Sequence, residues 1–212
     1  MRITVFGASG AVGSRVVAEA VDRGHTVTAV SRDAARLREL ASRIEIRSGD
    51  AANPDQVAEL SADRDVVISA TRPGPGREEE LAAVAVALLT GLARTEVRLL
   101  VVGGAAGLRV PGGAMLIDTP DFPSDLRPIA FACNQQLDVF QAATAGPVDW
   151  AYVSPPTLLE PGVRTGCYRV GAHDLLVDAE GNSFISMEDF AVALLDEAER
   201  PKHHRTRFTV GY

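Results

Sequence analysis

Cysteine is scarce. The 212 residues hold two, Cys133 and Cys167, with no CxxC pair and no spacing that suits a metal. This excludes a disulfide-stapled scaffold and a thiolate metal centre, and it suits a reducing compartment. Both thiols read as small buried hydrophobes rather than nucleophiles. A block of Lys and Arg is also missing. The formal charge is −7, from 21 basic and 28 acidic residues, which argues against nucleic acid or an anionic membrane as partner. The most apolar stretch, residues 81–92, is too short and too alanine-rich to span a bilayer. No charged segment with a long apolar run precedes Ile3, so no signal peptide is expected. The expectation is a soluble, cytoplasmic protein, monomer or homodimer. Tandem repeats, low-complexity segments and a clean domain boundary are lacking too, so residues 1–212 read as one domain.

What is present is a core-forming share of apolar residues, 46%, arranged as alternating short runs. Strands are expected at 2–6, 26–30, 43–47, 65–69 and 97–102, with helices at 11–22, 34–41, 54–60 and 78–93 between them. Asp33 and Asn53 are the expected caps, with Pro54 in a first helical turn. Repeated β-α-β units imply an α/β fold with a parallel, doubly wound sheet and right-handed crossovers. Residues 105–212 are less regular. A proline- and glycine-rich loop at 105–128 is expected to be structureless, serving as a lid or substrate wall or as a plain surface connection. A helix at 129–143, a strand at 149–153, short strands at 167–170 and 175–177, a helix at 187–199 capped by Ser186 with Asp189 near a capping box, and a last strand at 207–210 should follow. The division is a cofactor-binding half, 1–104, and a half of further strands and a small substrate-side lobe, 105–212.

Chemistry concentrates at the first turn. Gly7-Ala8-Ser9-Gly10-Ala11-Val12-Gly13 lies between an apolar strand and a helix. Such a turn lets backbone N–H groups approach a pyrophosphate, and the helix dipole favours its charge. The spacing is GxxGxxG, and it resembles atypical and extended members of the short-chain dehydrogenase/reductase superfamily. NAD binders place an acid about 20 residues past such a motif, on the ribose hydroxyls. Here that position is Arg32, next to Ser31. A guanidinium and a hydroxyl match a 2′-phosphate, so NADP(H) is favoured over NAD(H). In a doubly wound sheet the ligand lies beyond the carboxyl ends of the strands. That rule adds Asp50, Ala70, Thr71, Gly103 and Gly104 as candidate contacts. Asp50 has two readings, a contact near the adenine edge or a turn-capping side chain.

The resemblance extends over the whole chain. Val101-Val102-Gly103-Gly104, Pro111-Gly112, Asp118-Thr119-Pro120-Asp121-Phe122-Pro123, Asp149-Trp150-Ala151-Tyr152-Val153-Ser154-Pro155-Pro156, Pro161-Gly162-Val163-Arg164-Thr165-Gly166, Gly181-Asn182-Ser183-Phe184-Ile185-Ser186 and Asp189-Phe190-Ala191 look like bacterial NAD(P)H-binding proteins described as candidate NADH-flavin reductases. These are relatives of NmrA-like proteins and of biliverdin reductase B. The likeness implies a pocket among Gly103-Gly104, the loop at 109–122 and Ser154-Pro155-Pro156. One departure stands out. Where Tyr-x-x-x-Lys would serve as proton donor and anchor, the chain reads Phe131-Ala132-Cys133-Asn134-Gln135, so alcohol–ketone acid chemistry is disfavoured and no catalytic residue is named. Two readings follow. One is a reductase passing hydride to a flavin-like or other conjugated small molecule, the flavin being substrate rather than tightly bound cofactor. The other is an NmrA-like nucleotide-binding sensor without turnover. The histidines are expected to be bland, with His203-His204 in a solvated turn, and Arg164 and Arg169 to lie on the surface.

Overall fold

The structure, a computed structural model, describes residues 1–40 and 44–212, with only the backbone at 38–40. Its elements are β1 (Arg2–Phe6), α1 (Ala11–Asp22), β2 (Thr26–Ser31), a 3-10 segment (Ala34–Leu40), β3 (Glu45–Ser48), α2 (Pro54–Ser61), β4 (Val66–Ser69), α3 (Glu80–Leu92), β5 (Arg98–Val102), α4 (Arg127–Ala142), β6 (Trp150–Ser154), β7 (Leu158–Glu160), β8 (Arg169–Gly171), β9 (Phe184–Ser186), α5 (Met187–Glu199) and β10 (Thr206–Gly211). Eight strands form one sheet in the order β3-β2-β1-β4-β5-β6-β10-β8. All neighbours are parallel except β8, which runs antiparallel to β10 at the edge. This is a Rossmann-like α/β fold.

The apolar runs explain the layering. Both sheet faces are covered, so strands such as β4 and β6 are buried at every position. Alternate side chains feed two cores. Ile3 and Val5 of β1 join Ala151 and Val153 of β6 beneath α1 and α5, with Val16, Val17, Phe190 and Leu194. Phe6, Trp150 and Tyr152 point the other way, into a core with Val57, Leu88 and Phe140 under α2, α3 and α4. Chain order reverses at β1, flanked by β2 and β4, and that reversal opens a crevice at the carboxyl edge.

Several expectations need correction. The helix at 34–41 is a 3-10 segment in its described part, and its expected end, Ala41, and the expected strand start, Arg43, lie outside the described residues. Asp33 does cap it: its carboxylate accepts from the Ala35 N–H at 3.0 Å. Residues 175–177 are not a strand. Leu175 makes one backbone bond, to the Arg109 carbonyl, beside a bridge between Arg109 and Asp174. A two-stranded sheet of β7 and β9 occurs instead, pairing Leu158 with Phe184. The loop at 105–128 is not structureless. It holds 3-10 turns at Leu116–Asp118 and Ser124–Leu126, an Arg109–Met115 bridge, and a small core of Ala106, Ile117 and Ala130 against Phe122. Ser186 caps α5 as expected, accepting from the Asp189 N–H at 3.0 Å. The Asp189 carboxylate, however, turns away to Thr165, Gly166 and Tyr212.

Candidate functional site

The glycine turn sits in the crevice between β1 and β4. Gly7 adopts φ +77, and a Cβ there would meet the Ala70 carbonyl oxygen at 2.5 Å. A Cβ on Gly13 would lie 2.1 Å from the Gly7 carbonyl oxygen. Both glycines therefore allow backbone to pass against backbone. The Gly7 and Ala8 N–H groups donate to Val30 O, and Gly10 donates to Gly7 O at 3.0 Å. No side chain caps α1, whose first turn carries no acid. The first N–H groups of a helix have no intrahelical acceptor, so this end presents donors and the positive pole of a dipole to whatever lies in the crevice.

The neighbouring residues take up defined positions. Ser9 and Ser31 share a hydroxyl–hydroxyl bond of 3.0 Å, and Ser31 also accepts from Asp33 N–H, which fixes the end of β2 beside the turn. Arg32 is exposed directly after it. Its carbonyl accepts from Ser48, and among the described residues its guanidinium has no ion pair. Ala70 N–H donates to Phe6 O, while Thr71 bonds Ser69 through the two hydroxyls. Asp50 forms a turn cap. Its carboxylate accepts from Ala52 N–H at 2.9 Å and its N–H donates to Gln56, so the capping reading holds, and it does not bear on a contact near the adenine edge.

Farther along the carboxyl edge, Gly103 and Gly104 follow β5. A Cβ on Gly103 would strike the Tyr152 ring at 1.9 Å, and one on Gly104 would meet Cys133 Cβ at 2.8 Å. These glycines make room for side chains of β6 and α4. The Tyr152 hydroxyl accepts from Gly104 N–H at 3.2 Å and donates to the Cys133 carbonyl at 3.0 Å. Burial pushes its pKa well above the ordinary tyrosine value. With its proton engaged and its charge disfavoured, Tyr152 is unsuited to proton donation. Burial also pushes the Cys133 thiol up to about 11, as for an inert core thiol. Cys167 is exposed, contrary to the buried reading. Phe131 and Gln135 both lie on the exposed face of α4. Ser154, Pro155 and Pro156 are buried at the end of β6, and the Ser154 carbonyl accepts from Thr209.

Polar clusters in the second half escaped the sequence. The buried Asp189 carboxylate accepts from Thr165 N–H and hydroxyl, Gly166 N–H and the Tyr212 hydroxyl at 2.5 to 2.9 Å, pinning the loop before β8 to α5. Burial opposes its charge, yet these donors hold its pKa below the usual range. Arg164 is exposed, as expected, and forks onto Glu19 of α1 at 2.7 and 2.8 Å, so it also tethers its loop to that helix. Arg169 donates to the Val177 and Tyr212 carbonyls. His203 stacks on Phe208 with centroids 4.0 Å apart and bonds the buried Glu197, so it is half-buried rather than solvated, whereas His204 is exposed as expected. Only distant pairings reveal these roles. The capping pattern at Ser186 points to the Asp189 N–H, and nothing local points to its carboxylate or to Thr165. Among the described residues no cluster of His, Cys, Asp and Glu is placed to hold a metal, and no helix is long and apolar enough to cross a membrane.

Known proteins share this arrangement over its full length. The sequence pattern of the family described as NAD(P)H-binding matches residues 7–201. The uncharacterised protein YwnB of Bacillus subtilis is 38% identical, over 99% of this chain and 98% of that protein. A candidate exported protein from Burkholderia pseudomallei is 39% identical with a TM-score of 0.90, covering 100% of both chains. A candidate NADH-flavin reductase from Streptococcus pneumoniae is 32% identical with a TM-score of 0.88, covering 100% of this chain and 99% of that one. An uncapped helix end over a glycine turn, at the point where strand order reverses, is what a dinucleotide pyrophosphate requires, and the chain belongs to the NAD(P)H-binding family.

Proposed function

We propose that the protein is an NAD(P)H-dependent oxidoreductase that favours NADPH and reduces a flavin-like or other conjugated small molecule without a Tyr-Lys pair. The observation that carries this reading is the α1 end. It has no side-chain cap and no acid in its first turn, and Gly7 and Gly13 leave no room for a Cβ beside it. That cradle fits a pyrophosphate. Ser9, Gly10, Ala11, Val12 and Gly13 would hold it, with Ala8 packed behind. Arg32 and Ser31 would meet a 2′-phosphate, since Arg32 is exposed at the strand end and has no carboxylate partner among the described residues. Ala70 and Thr71 would lie along the nucleotide, with Asp50 near its adenine edge. Gly103, Gly104 and Ser154-Pro155-Pro156 would line the reactive end.

The bound nucleotide supplies a hydride. The chain's own residues orient the two reactants and keep water out. Because the Tyr152 hydroxyl is committed to Cys133 O, solvent supplies the proton, which suits an acceptor whose reduced form needs no enzymic acid. The likeness to a candidate NADH-flavin reductase supports the choice of acceptor class. A flavin would come and go as substrate. The protein would work in the cytoplasm as a monomer or homodimer.

The test is oxidation of NADPH and NADH with FMN, FAD and a quinone, followed by Arg32→Ala. Saturable turnover is expected, with a preference for NADPH that falls about tenfold or more in the variant, as for loss of a charge-assisted contact. Tighter binding of NADH, or an unchanged preference in Arg32→Ala, would refute the cofactor assignment. Binding without turnover across the panel would point to a sensor instead.

A further inference from the structure

The most apolar run of the sequence, residues 81–92, makes up α3 after Glu80. Between Glu80 and Arg94 there is no charged or amide side chain. A surface helix ordinarily carries charge on the side away from the core, and a helix that is apolar all round is ordinarily buried. The other helices keep that rule, with Asp22 of α1, Glu59 of α2, Asp138 of α4 and Glu199 of α5 exposed. α3 breaks it. Val84, Ala85, Leu88 and Leu92 enter the core. The opposite flank, by the 3.6-residue period, is Ala82, Ala83, Val86, Leu89, Thr90 and Ala93. All six are exposed or half-buried, and Val86 is 52% exposed. The Thr90 hydroxyl, the one polar group among them, donates to the Val86 carbonyl at 2.8 Å, so its hydrogen is already spent inside the helix. This flank could be covered without stranding a donor or a charge.

Its pattern suits a copy of itself. Glu79, Ala82, Val86, Leu89 and Ala93 recur at alternating steps of three and four, the spacing of a seam between two helices. Alanine at 82, 83 and 93 lets a second backbone come close. The ends carry opposite charge, Glu78-Glu79-Glu80 at the start and Arg94 just past the finish. An antiparallel partner related by a two-fold axis at Val86 brings the acids of each copy to the Arg94 of the other. Glu79 has no ion pair among the described residues, and Arg94 holds only Asp55, whose side chain is 80% exposed. Size is the remaining condition. α3 is about 20 Å long, too narrow alone for the roughly 800 Å² per partner of a stable interface. It lies between α2 and α4, however, and α4 adds the exposed Phe131. The three helices together give a face of the required order.

We propose that α3 is the seam of a homodimer, in which a second copy of this chain packs antiparallel on it about a two-fold axis at Val86, with α2 and α4 as flanks. The inference does not rest on the reductase reading.

The test is sedimentation velocity of the full chain across a dilution series. Twice the chain mass is expected, falling to the single mass on dilution. Val86→Glu should be monomeric where the parent is dimeric, while Val170→Glu, at an equally exposed valine of β8 (53%), should dimerise as the parent does. A second arm stands independently of how Val86→Glu folds. Glu79→Lys and Arg94→Glu should each weaken dimerisation about tenfold or more, since like charges then oppose across the axis. Mixed together, the two variants should form a heterodimer, because each altered end meets its complement on the other chain. A parent that stays monomeric throughout leaves α3 to some other partner and overturns the proposal. So does a Val86→Glu variant that dimerises like the parent, dissociation by Val170→Glu instead, or a mixture no more associated than either charge variant alone.

Discussion

The two glycine pairs at the carboxyl edge of the sheet look alike in sequence and exist for different reasons. Gly7 and Gly13 are forced by backbone passing against backbone, at the Ala70 and Gly7 carbonyls. Gly103 and Gly104 are forced by side chains, the Tyr152 ring and Cys133. A backbone clash has no partner that can be trimmed, whereas a side-chain clash does. The first pair shapes a cradle whose form is independent of neighbouring side chains. The second shapes a packing joint between β5, β6 and α4, and the loop beyond it inherits its position from that joint.

Substitution separates the pairs. Gly13→Ala should have the largest effect, since its Cβ would stand 2.1 Å from the Gly7 carbonyl. A loss of about 3 kcal/mol in urea unfolding is expected, with NADPH affinity falling beyond detection, and no second substitution of a side chain should restore either. Normal NADPH binding by Gly13→Ala would show that the turn does not carry the nucleotide. Gly103→Ala should cost about 1–3 kcal/mol, and here a double-mutant cycle gives a different outcome. In Gly103→Ala/Tyr152→Ala the combined loss should fall short of the sum by at least about 1 kcal/mol, because the ring that met the new methyl is gone. Strict additivity would place Gly103 with the backbone-limited pair and erase the distinction.

The smallest effect concerns pH. Glu197 is buried and accepts from Arg98, Lys202 N–H and His203 N–H at 2.7 to 3.0 Å, with His203 Nδ1 at 2.8 Å on its other oxygen. Burial pushes its pKa up, but these donors outweigh burial and leave it below the ordinary carboxylate value. On Glu19, the Arg164 fork is the largest influence and acts in the same direction, against burial. A carboxylate with a lowered folded pKa stabilises above its unfolded pKa, and that stability drains away as pH falls through the folded pKa. The unfolding midpoint should hold down to about pH 4.3 and then drop. The drop should be shallower in Glu197→Gln, a change remote from both glycine pairs. An identical acid profile in that variant would remove Glu197 from the account.

The legibility of the sequence follows the same divide. β4 and β5 hold short continuous apolar runs because both faces are covered, and GxxGxxG is a local pattern with a local cause. Counting on from that motif leads to Arg32, which the structure shows exposed after β2. Beyond residue 104, local signals mislead. The apolar run at 175–177 suggests a strand, but its neighbour β8 already fills the sheet edge. β7 and β9 have three residues each and one exposed flank, too little for any periodicity to register. Asp189 serves Thr165 and Tyr212, each more than 20 residues away in sequence, so a capping pattern described its N–H and missed its carboxylate.

The place of β10 in the sheet has a consequence for how the chain is made. β10 follows every other strand in sequence, yet it lies inside the sheet, between β6 and β8. During synthesis from the N-terminus, the open side of β6 must wait bare until residues 206–211 leave the ribosome, and β8 has no sheet partner before then. An uncovered parallel edge is an invitation to pair with the wrong chain. Slow translation between β6 and β10 would prolong that exposure, and a chaperone that shields strand edges would shorten it.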